Sequence, residues 1–288
     1  MSSSPGTVSK ILWHFTGGPI WNAEMKCQEN RRKPASRAYW ALKAILSSRE
    51  LRVGQYHEVV KYKVFVPEGF SFFSLKREPA QYEERYVMSL PINCLADIPI
   101  MHLGYHSARY GKMAIGFHRH AAIKHGFNPV FYQHDNSEDL RAICAGAHAL
   151  DVRRNFVTAL SLREEIDKIG DIPTIEGSTV RTQDSKSFET ILSYVDKLES
   201  ATQLGQDGYA RMLAQIKTFR EDEFGTIYCE REWRSTKTFA FSYSDVAMIA
   251  LPKGKGNGNY FERFIAEAKE IGLPPTVSIV AWDDLVEH

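Results

Sequence analysis

The sequence has few cysteines and no closely spaced cysteine pair. Its 288 residues include only Cys27, Cys94, Cys144 and Cys229, which are widely separated along the chain. This spacing argues against a zinc knuckle and against a dense disulfide framework. No apolar run approaches the roughly 20 residues that a membrane-spanning helix needs. We therefore expect a cytoplasmic protein whose thiols are reduced.

An excess of charge of one sign is also missing. The 36 Lys and Arg residues nearly balance the 35 Asp and Glu residues, so the formal net charge is +1. No overall field therefore indicates nucleic-acid binding, although a local basic patch stays possible. The sequence also has no Walker loop, no G-x-G-x-x-G fingerprint, no G-x-S-x-G elbow and no kinase signature. The corresponding nucleotide-binding, hydrolase and kinase sites are not expected.

Hydrophobic periodicity predicts strands at both ends of the chain and a helical block between them. The predicted strands are 10–16, 57–66, 112–118, 128–133, 225–232, 238–243, 246–251 and 276–281, and the shorter predicted helices are 36–48, 119–126 and 259–271. From Ser137 to about Arg220 the pattern is helical, apart from a loop at 170–185. This order predicts an α+β fold, with one domain over residues 1–288 and a helical insertion at about 135–220.

The first predicted strand carries a polar pair. His14 and Thr16 share one face because alternate residues of a strand point the same way, whereas Trp13 and Phe15 point into a core. A polar pair at the end of an apolar strand is a candidate ligand site. The alternative is a core histidine that bonds a neighbouring carbonyl group, which is the commoner situation.

Polar ring-bearing residues crowd the segment before the strand at 112–118. Tyr110 could stack on a flat heterocycle, and Arg109 could contact a phosphate. The alternative is a surface loop with structural aromatic residues. His102 and His106 lie four residues apart, but Gly104 and the lack of a His-Glu-x-x-His pattern argue against zinc. We predict no metal site.

The late segment 228–234 carries paired carboxylates. On a strand, Glu230, Glu232 and Arg234 would share one face. Because the neighbouring predicted strands are apolar, we expect this strand to lie inside the sheet, where charged residues usually line a cleft. The alternative is an edge strand with solvated charges.

Several short motifs occur together in the order found in a known family. They are Asn93-Cys94-Leu95-Ala96-Asp97-Ile98-Pro99, His106, Tyr110-Gly111-Lys112, Ile115-Gly116-Phe117, Asn128-Pro129-Val130-Phe131-Tyr132 and Glu232-Trp233-Arg234. This series resembles the AbiGi-like abortive-infection family. Together with the N-terminal motif described next, the resemblance covers about residues 10–16, 93–132 and 226–250 and leaves out the helical block.

The N-terminal His14-Phe15-Thr16, followed by a helix with Leu42 and Ile45-Leu46, is similar to the opening of DarT-type ADP-ribosyltransferases. That resemblance implies an ADP-ribosyltransferase-like fold with a split mixed or antiparallel sheet. It also implies NAD as substrate, without a metal.

The DarT resemblance further implies a role for each site residue. His14 with Thr16 would bind the nicotinamide ribose, and Tyr110 would pack on the nicotinamide ring, with Tyr105, Tyr132 and Tyr228 as alternatives for that role. Glu232, assisted by Glu230, would be catalytic, since a carboxylate can stabilise the positive charge that builds on the ribose ring. Arg109 or Arg234 would contact the pyrophosphate.

Two functions follow from these resemblances. The first is an NAD-dependent mono-ADP-ribosyltransferase toxin of a phage-defence system, which modifies DNA or RNA and is neutralised by an antitoxin protein. In that case Arg31, Arg32 and Lys33 could bind a single strand beside the aromatic-rich segment 56–73. The alternative for these three residues is a solvated loop. The alternative is a non-enzymatic, antitoxin-like or nucleic-acid-binding component of an abortive-infection pair.

Overall fold

The computed structural model describes residues 9–25, 27–66, 69–71, 76–147, 149–150, 185–223 and 227–286. The chain divides into two compact units. The first contains Met1–Val59, Met88–Asp135 and Leu213–His288, and the second contains Val60–Val87 and Asn136–Met212. The second unit takes in most of the predicted helical insertion together with a segment of strands. The description of residues 1–288 as one domain stays a prediction.

The first unit is built on a mixed sheet of seven strands among the described residues. Their spatial order is β11 (Asn128–Pro129), β14 (Glu232–Ser235), β9 (Asn93–Ala96), β1 (Ile11–Phe15), β10 (Ala114–His118), β16 (Val246–Leu251) and β17 (Ser278–Ala281). Neighbouring strands are antiparallel, except that β16 and β17 are parallel. The α+β class with a mixed sheet is therefore confirmed.

The central strand β1 separates two hydrophobic clusters because its side chains alternate between the two faces. Leu12 belongs to the larger cluster, in which Tyr39, Phe117 and Phe264 are also fully buried. Trp13 belongs to the smaller cluster, which also contains Trp282, and its indole N–H donates to the carbonyl oxygen of Ile98 (3.2 Å). The predicted opposition of Trp13 and Phe15 to His14 is confirmed.

The helices of the first unit cover this sheet. They are α1 (Ala35–Ser48), α2 (Leu103–Tyr110), α3 (Arg119–Lys124), α5 (Tyr260–Glu267) and α6 (Trp282–Val286). Helix α1 buries Ala38, Tyr39, Leu42 and Leu46, which lie three or four residues apart and so share one face. The predicted apolar face of this helix is confirmed, with Ile45 partly buried against the same core.

Short strands pair outside the main sheet. They are β2 (Pro19–Asn22) with β3 (Cys27–Arg32), β4 (Glu50–Leu51) with β15 (Phe239–Ala240), and β12 (Phe131–His134) with β13 (Ile216–Phe219). The first two pairs are antiparallel and the third is parallel.

The second unit combines strands and helices. Its strands are β5 (Val59–Val66), β6 (Gly69–Ser71), β7 (Lys76–Glu78) and β8 (Gln81–Met88), paired as β5 with β8 and β6 with β7. Residues 138–147 are helical, and α4 spans Ser185–Ala214. The predicted loop at 170–185 lies almost entirely outside the described residues. No described helix is both long enough and apolar enough to cross a bilayer.

Four local predictions were wrong. The predicted strand 128–133 is two strands, β11 and β12, which belong to different sheets. Residues 216–219 form a strand and not the end of the helical block. Residues 228–230 form a turn of 3-10 helix, so the predicted strand 225–232 begins only at Glu232. The predicted strand 238–243 is interrupted after Ala240, and Tyr243–Asp245 forms a 3-10 turn whose capping box is made by Ser242 and Asp245.

Candidate functional site

A cleft of about 750 Å³ lies at the end of strand β1 in the first unit. His14, Thr16, Tyr110 and Glu232 all line it, together with Lys217. A smaller cavity of about 90 Å³ is lined by His14, Tyr110, Glu230 and Glu232. The histidine, tyrosine and glutamate that the sequence analysis combined are therefore neighbours of the same open space. Its volume is in the usual range for small-molecule sites.

A buried lysine holds the two predicted catalytic glutamates together. Nζ of Lys217 lies 2.6 Å from Oε2 of Glu230 and 2.7 Å from Oε2 of Glu232. Burial acts to lower the pKa of Lys217, but attraction to the two carboxylates outweighs burial and raises the pKa well above its usual value. Burial acts to raise the pKa of Glu232, but attraction to Arg234 and Lys217 outweighs burial and lowers the pKa below its usual value. Lys217 and Glu232 are thus both charged.

Arg234 is fully buried and all its N–H groups are engaged. Its Nε and Nη2 donate to the two carboxylate oxygens of Glu232, and Nη2 also donates to Glu58 (2.8 Å). Nη1 donates to the carbonyl oxygens of Ala214 and Ile216. A guanidinium has five N–H groups, so none remains for a ligand phosphate. In this structure Arg234 orients Glu232 and has no donor for the predicted pyrophosphate contact.

Glu230 is held from the other side by the helix α2. The hydroxyl of Tyr110 donates to its Oε1 (2.7 Å), and Nη1 of Arg109 lies 3.3 Å from the same oxygen. Burial and the nearby Glu230 raise the pKa of Tyr110 well above its usual value, so the phenol stays protonated. Arg109 also donates to the side chain of Gln28 (3.2 Å). The predicted phosphate contact of Arg109 stays a prediction.

Tyr110 lies in an aromatic group at the edge of the cleft. Its ring is stacked on that of His106, with centroids 5.7 Å apart and an interplanar angle of 28°, and lies 5.8 Å from that of Phe15. His106 and Phe15 thus occupy part of the surface of the ring, and Tyr110 is also among the residues that line the cleft. Packing of Tyr110 on a nicotinamide ring stays a prediction.

His14 is neutral and has a defined tautomer. Its Nδ1 lies 3.1 Å from the carbonyl oxygen of Cys94, which can only accept, so Nδ1 carries the hydrogen. Burial lowers the pKa of His14 to about 4, against the smaller opposing effect of this hydrogen bond. Nε2 therefore presents a lone pair. The alternative prediction, a histidine bonded to a neighbouring carbonyl group, is confirmed for Nδ1. His14 also lines the cleft, as the ligand-site prediction requires.

The turn after β1 brings Tyr110 to the cleft. A Cβ at Gly17 would lie only 2.7 Å from the carbonyl oxygen of Tyr110, and a Cβ at Gly18 would lie 3.1 Å from its ring. Two glycines are therefore needed for this close approach. Thr16, next to them, is 2% exposed, and its hydroxyl has no hydrogen-bond partner among the described residues.

The basic cluster of the sequence analysis is divided in the structure. Arg31 is exposed and pairs with Glu29 (3.4 Å), and Arg32 is exposed and donates to the carbonyl oxygen of Ser107 (2.8 Å). Neither residue lines the cleft, whereas Lys33 does. Nucleic-acid binding by the three residues stays a prediction.

The expected common strand face of Glu230, Glu232 and Arg234 was wrong in part. Glu232 and Arg234 share a face of β14, but Glu230 ends a 3-10 turn and Arg231 has a left-handed backbone (φ 43°). The two glutamates meet through Lys217 and not through strand alternation. Lys217 was missed because it lies in a strand that the helical pattern of its surroundings concealed.

Glu58 was also missed, because its partner Arg234 is 176 residues away and no local pattern reports such a contact. Within the described residues, no three His, Cys, Asp or Glu side chains converge as metal ligands would.

The comparisons with known proteins support an abortive-infection family. A family model described as "Putative abortive phage resistance protein AbiGi, antitoxin" matches residues 60–255. A Lactococcus lactis subsp. cremoris protein, "Abortive phage resistance protein AbiGi", is 32% identical over 85 residues, which is 27% of this chain and 33% of that protein. The match thus spans about a third of the relative's length.

No solved structure matches the chain, so the DarT resemblance and the ADP-ribosyltransferase-like fold stay predictions. The family model covers more than half of the sequence and includes the Asp-Ile-Pro, Tyr-Gly and Glu-Trp-Arg motifs. The chain therefore belongs to the AbiGi family of abortive phage resistance proteins.

Proposed function

We propose that this protein is the antitoxin-like, non-enzymatic component of an abortive-infection pair, and that it acts in the cytoplasm by binding. Its partner would then be a toxin, whereas the first hypothesis made this chain the toxin and its partner the antitoxin. The description of the matching family as an antitoxin supports this choice.

The structural observation that carries the proposal is the state of Glu232. Arg234 donates to both of its oxygens, and Lys217 donates to one of them. A carboxylate stabilises a cationic transition state through its negative charge at the reacting centre. Here two protein cations neutralise that carboxylate, and displacing either would leave a buried charge unpaired. This arrangement suits a rigid binding wall better than a catalytic acid.

Growth of bacteria that express the chain tests the proposal directly. We expect expression of the chain alone to leave growth unchanged, and co-expression with the toxin of the same pair to relieve the arrest that the toxin causes. The Tyr110→Phe variant, which removes only one hydroxyl, should relieve the arrest as well as the unchanged chain does. Growth arrest by the chain alone would overturn the proposal.

A second candidate is the NAD-dependent mono-ADP-ribosyltransferase, with DNA or RNA as acceptor. One observation favours it, namely that His14, Tyr110 and Glu232 line one cleft. Incubation with labelled NAD and separate pools of DNA, RNA and protein tests it. This candidate requires label in one pool, and the loss of that label in a folded Glu232→Gln variant. Absence of label from all three pools would contradict it.

A further inference from the structure

Two cations in the cleft wall have no anionic partner. Lys33 and Arg37 both line the cleft, and within the described residues neither has a carboxylate at ion-pair distance. The carboxylates that line the cleft are already paired. Glu50 pairs with Arg52 (2.9 Å), and Glu232 pairs with Lys217 and Arg234. The wall around Lys33 and Arg37 therefore carries an excess of positive charge.

Lys33 and Arg37 flank the start of helix α1, although its first two residues, Ala35 and Ser36, do not line the cleft themselves. This helix has 14 residues, its N-terminal cap is Pro34, and no side chain caps it. The first amides of a helix have no partner within the helix, and they carry partial positive charge. The partial positive charge of this helix end therefore adds to the charges of Lys33 and Arg37.

An unpartnered hydroxyl supplies an independent indication of a ligand. Thr16 lines the same cleft and is 2% exposed, yet its Oγ1 has no hydrogen-bond partner among the described residues. A buried polar group without a partner costs about 1–3 kcal/mol, so such groups usually meet a ligand or water. Phosphate oxygens can accept a hydrogen bond from a hydroxyl as well as from lysine and arginine.

The aromatic part of the cleft wall indicates what the phosphate is attached to. Trp21 and Tyr56 both line the cleft and meet edge to face, with ring centroids 5.4 Å apart. Aromatic side chains of this kind can contact the flat face of a nucleobase. The volume of about 750 Å³ is sufficient for a small ligand that contains both a ring and phosphates.

From these observations we propose that Lys33, Arg37 and Thr16 form a phosphate subsite for a free nucleotide, whose base contacts the aromatic wall at Trp21 and Tyr56. The subsite replaces the predicted phosphate contact of Arg234, which has no free N–H group. The proposed subsite rests on the proposed function in one respect, namely that the cleft binds its ligand and does not convert it. Burial and the nearby Arg37 lower the pKa of Lys33, a destabilisation that a bound anion would relieve.

Calorimetric titration of the purified full chain tests the subsite. The probes are ADP, AMP, adenosine, NAD, inorganic phosphate and a 5′-phosphorylated oligonucleotide. We expect ADP to bind at least about tenfold more tightly than adenosine, since two cations contact its phosphates. Lys33→Gln and Arg37→Gln should each reduce this ratio to about threefold or less. Thr16→Val, which keeps the shape of the side chain, should weaken ADP binding and leave adenosine binding unchanged.

Lys124→Gln is the control, because Lys124 is exposed at the end of helix α3 and does not line the cleft, and it should preserve the ADP to adenosine ratio. Equal affinities for ADP and adenosine in the unchanged chain, or no binding of either, would overturn the subsite. An ADP to adenosine ratio that stays unchanged in both Lys33→Gln and Arg37→Gln would also overturn the subsite. An oligonucleotide that binds more tightly than AMP would overturn the assignment to a free nucleotide. The growth assay tests the antitoxin-like role separately, so the two failures are distinguishable.

Discussion

Nζ of Lys217 lies 2.7 Å from Oε2 of Glu232, in the interior of the first unit, and the same Nζ lies 2.6 Å from Glu230. One ammonium group thus joins two carboxylates that would otherwise repel each other. Arg234 continues the network from Glu232 to Glu58. The positions of β13, β14 and the 3-10 turn before β14 are therefore coupled by charge as well as by backbone hydrogen bonds.

Replacement of Lys217 by methionine should strongly destabilise the protein. The substitution keeps most of the side-chain volume but leaves Glu230 and Glu232 buried without their shared cation. Removing one partner of a buried ion pair typically costs about 3–5 kcal/mol. We expect the free energy of unfolding, measured by urea denaturation at neutral pH, to fall by this amount.

Lys112→Met is the matched control, because Lys112 pairs with Asp283 near the surface (3.0 Å). Exposed pairs contribute little, so this variant should unfold close to the same urea concentration as the unchanged chain. Equal losses in the Lys217 and Lys112 variants would show that the buried network contributes no more than a surface pair.

Removal of the Tyr110 hydroxyl should have a smaller effect. Tyr110→Phe loses the hydrogen bond to Oε1 of Glu230 (2.7 Å), while Arg109 still lies beside that oxygen. A hydrogen bond to a charged group contributes about 1.5–3 kcal/mol. We expect a loss of that size in urea denaturation. Tyr105→Phe, at an exposed position of the same helix, should leave the free energy of unfolding unchanged. Equal stability of the two variants would contradict a role for the Tyr110 hydroxyl.

His14 should make the protein less stable in mild acid. Its pKa is about 4 in the folded chain, below the ordinary 6.5, because burial disfavours the charged ring. Between these two values the unfolded chain binds more protons, so the free energy of unfolding falls as the pH falls from about 6.5 to 4. The contribution is at most about 3 kcal/mol. Urea denaturation at pH 7 and pH 4.5 measures it.

The variant His14→Asn keeps a donor for the carbonyl oxygen of Cys94 but cannot take up a proton. It should therefore lose less stability than the unchanged chain between pH 7 and pH 4.5. The exposed His102→Asn serves as control and should follow the unchanged chain. If the His14→Asn variant lost as much stability in acid as the unchanged chain, protonation of His14 would not be the cause of the loss.

The sequence predicts the parts of the fold that depend on local periodicity. Helix α1, with Tyr39 and Leu42 on its buried face, and the strands β1 and β10 follow from spacing alone. Lys217 shows the limit, because β13 has four residues and directly follows a helix of 30 residues. The periodicity of four residues is too weak a signal to be recognised after a long helical pattern. The partner strand β12 also lies far away in the sequence.

The sequence also predicts which residue types meet in the candidate site, but not how they are charged or paired. Glu230 and Glu232 were expected together because of strand alternation, and they meet because Lys217 joins them. Arg234 was expected to contact a ligand, yet it is fully buried. Whether a charged side chain faces a ligand or a buried partner depends on tertiary contacts such as that with Glu58, which local sequence patterns do not contain.

The close approach of Gly17 to Tyr110 gives a last prediction, which concerns the backbone and not the charges. In Gly17→Ala the new Cβ would lie 2.7 Å from the carbonyl oxygen of Tyr110 and 3.6 Å from Cβ of Ala38, so the turn after β1 must move. Forced shifts of this kind cost about 1–3 kcal/mol, and the urea midpoint should fall accordingly. Gly208→Ala is the control, since no atom lies within 4 Å of its added Cβ in helix α4. Alanine favours a helix, so that variant should gain about 0.5–1 kcal/mol. If Gly17→Ala gained stability as Gly208→Ala is expected to, the turn would have room that the structure does not show.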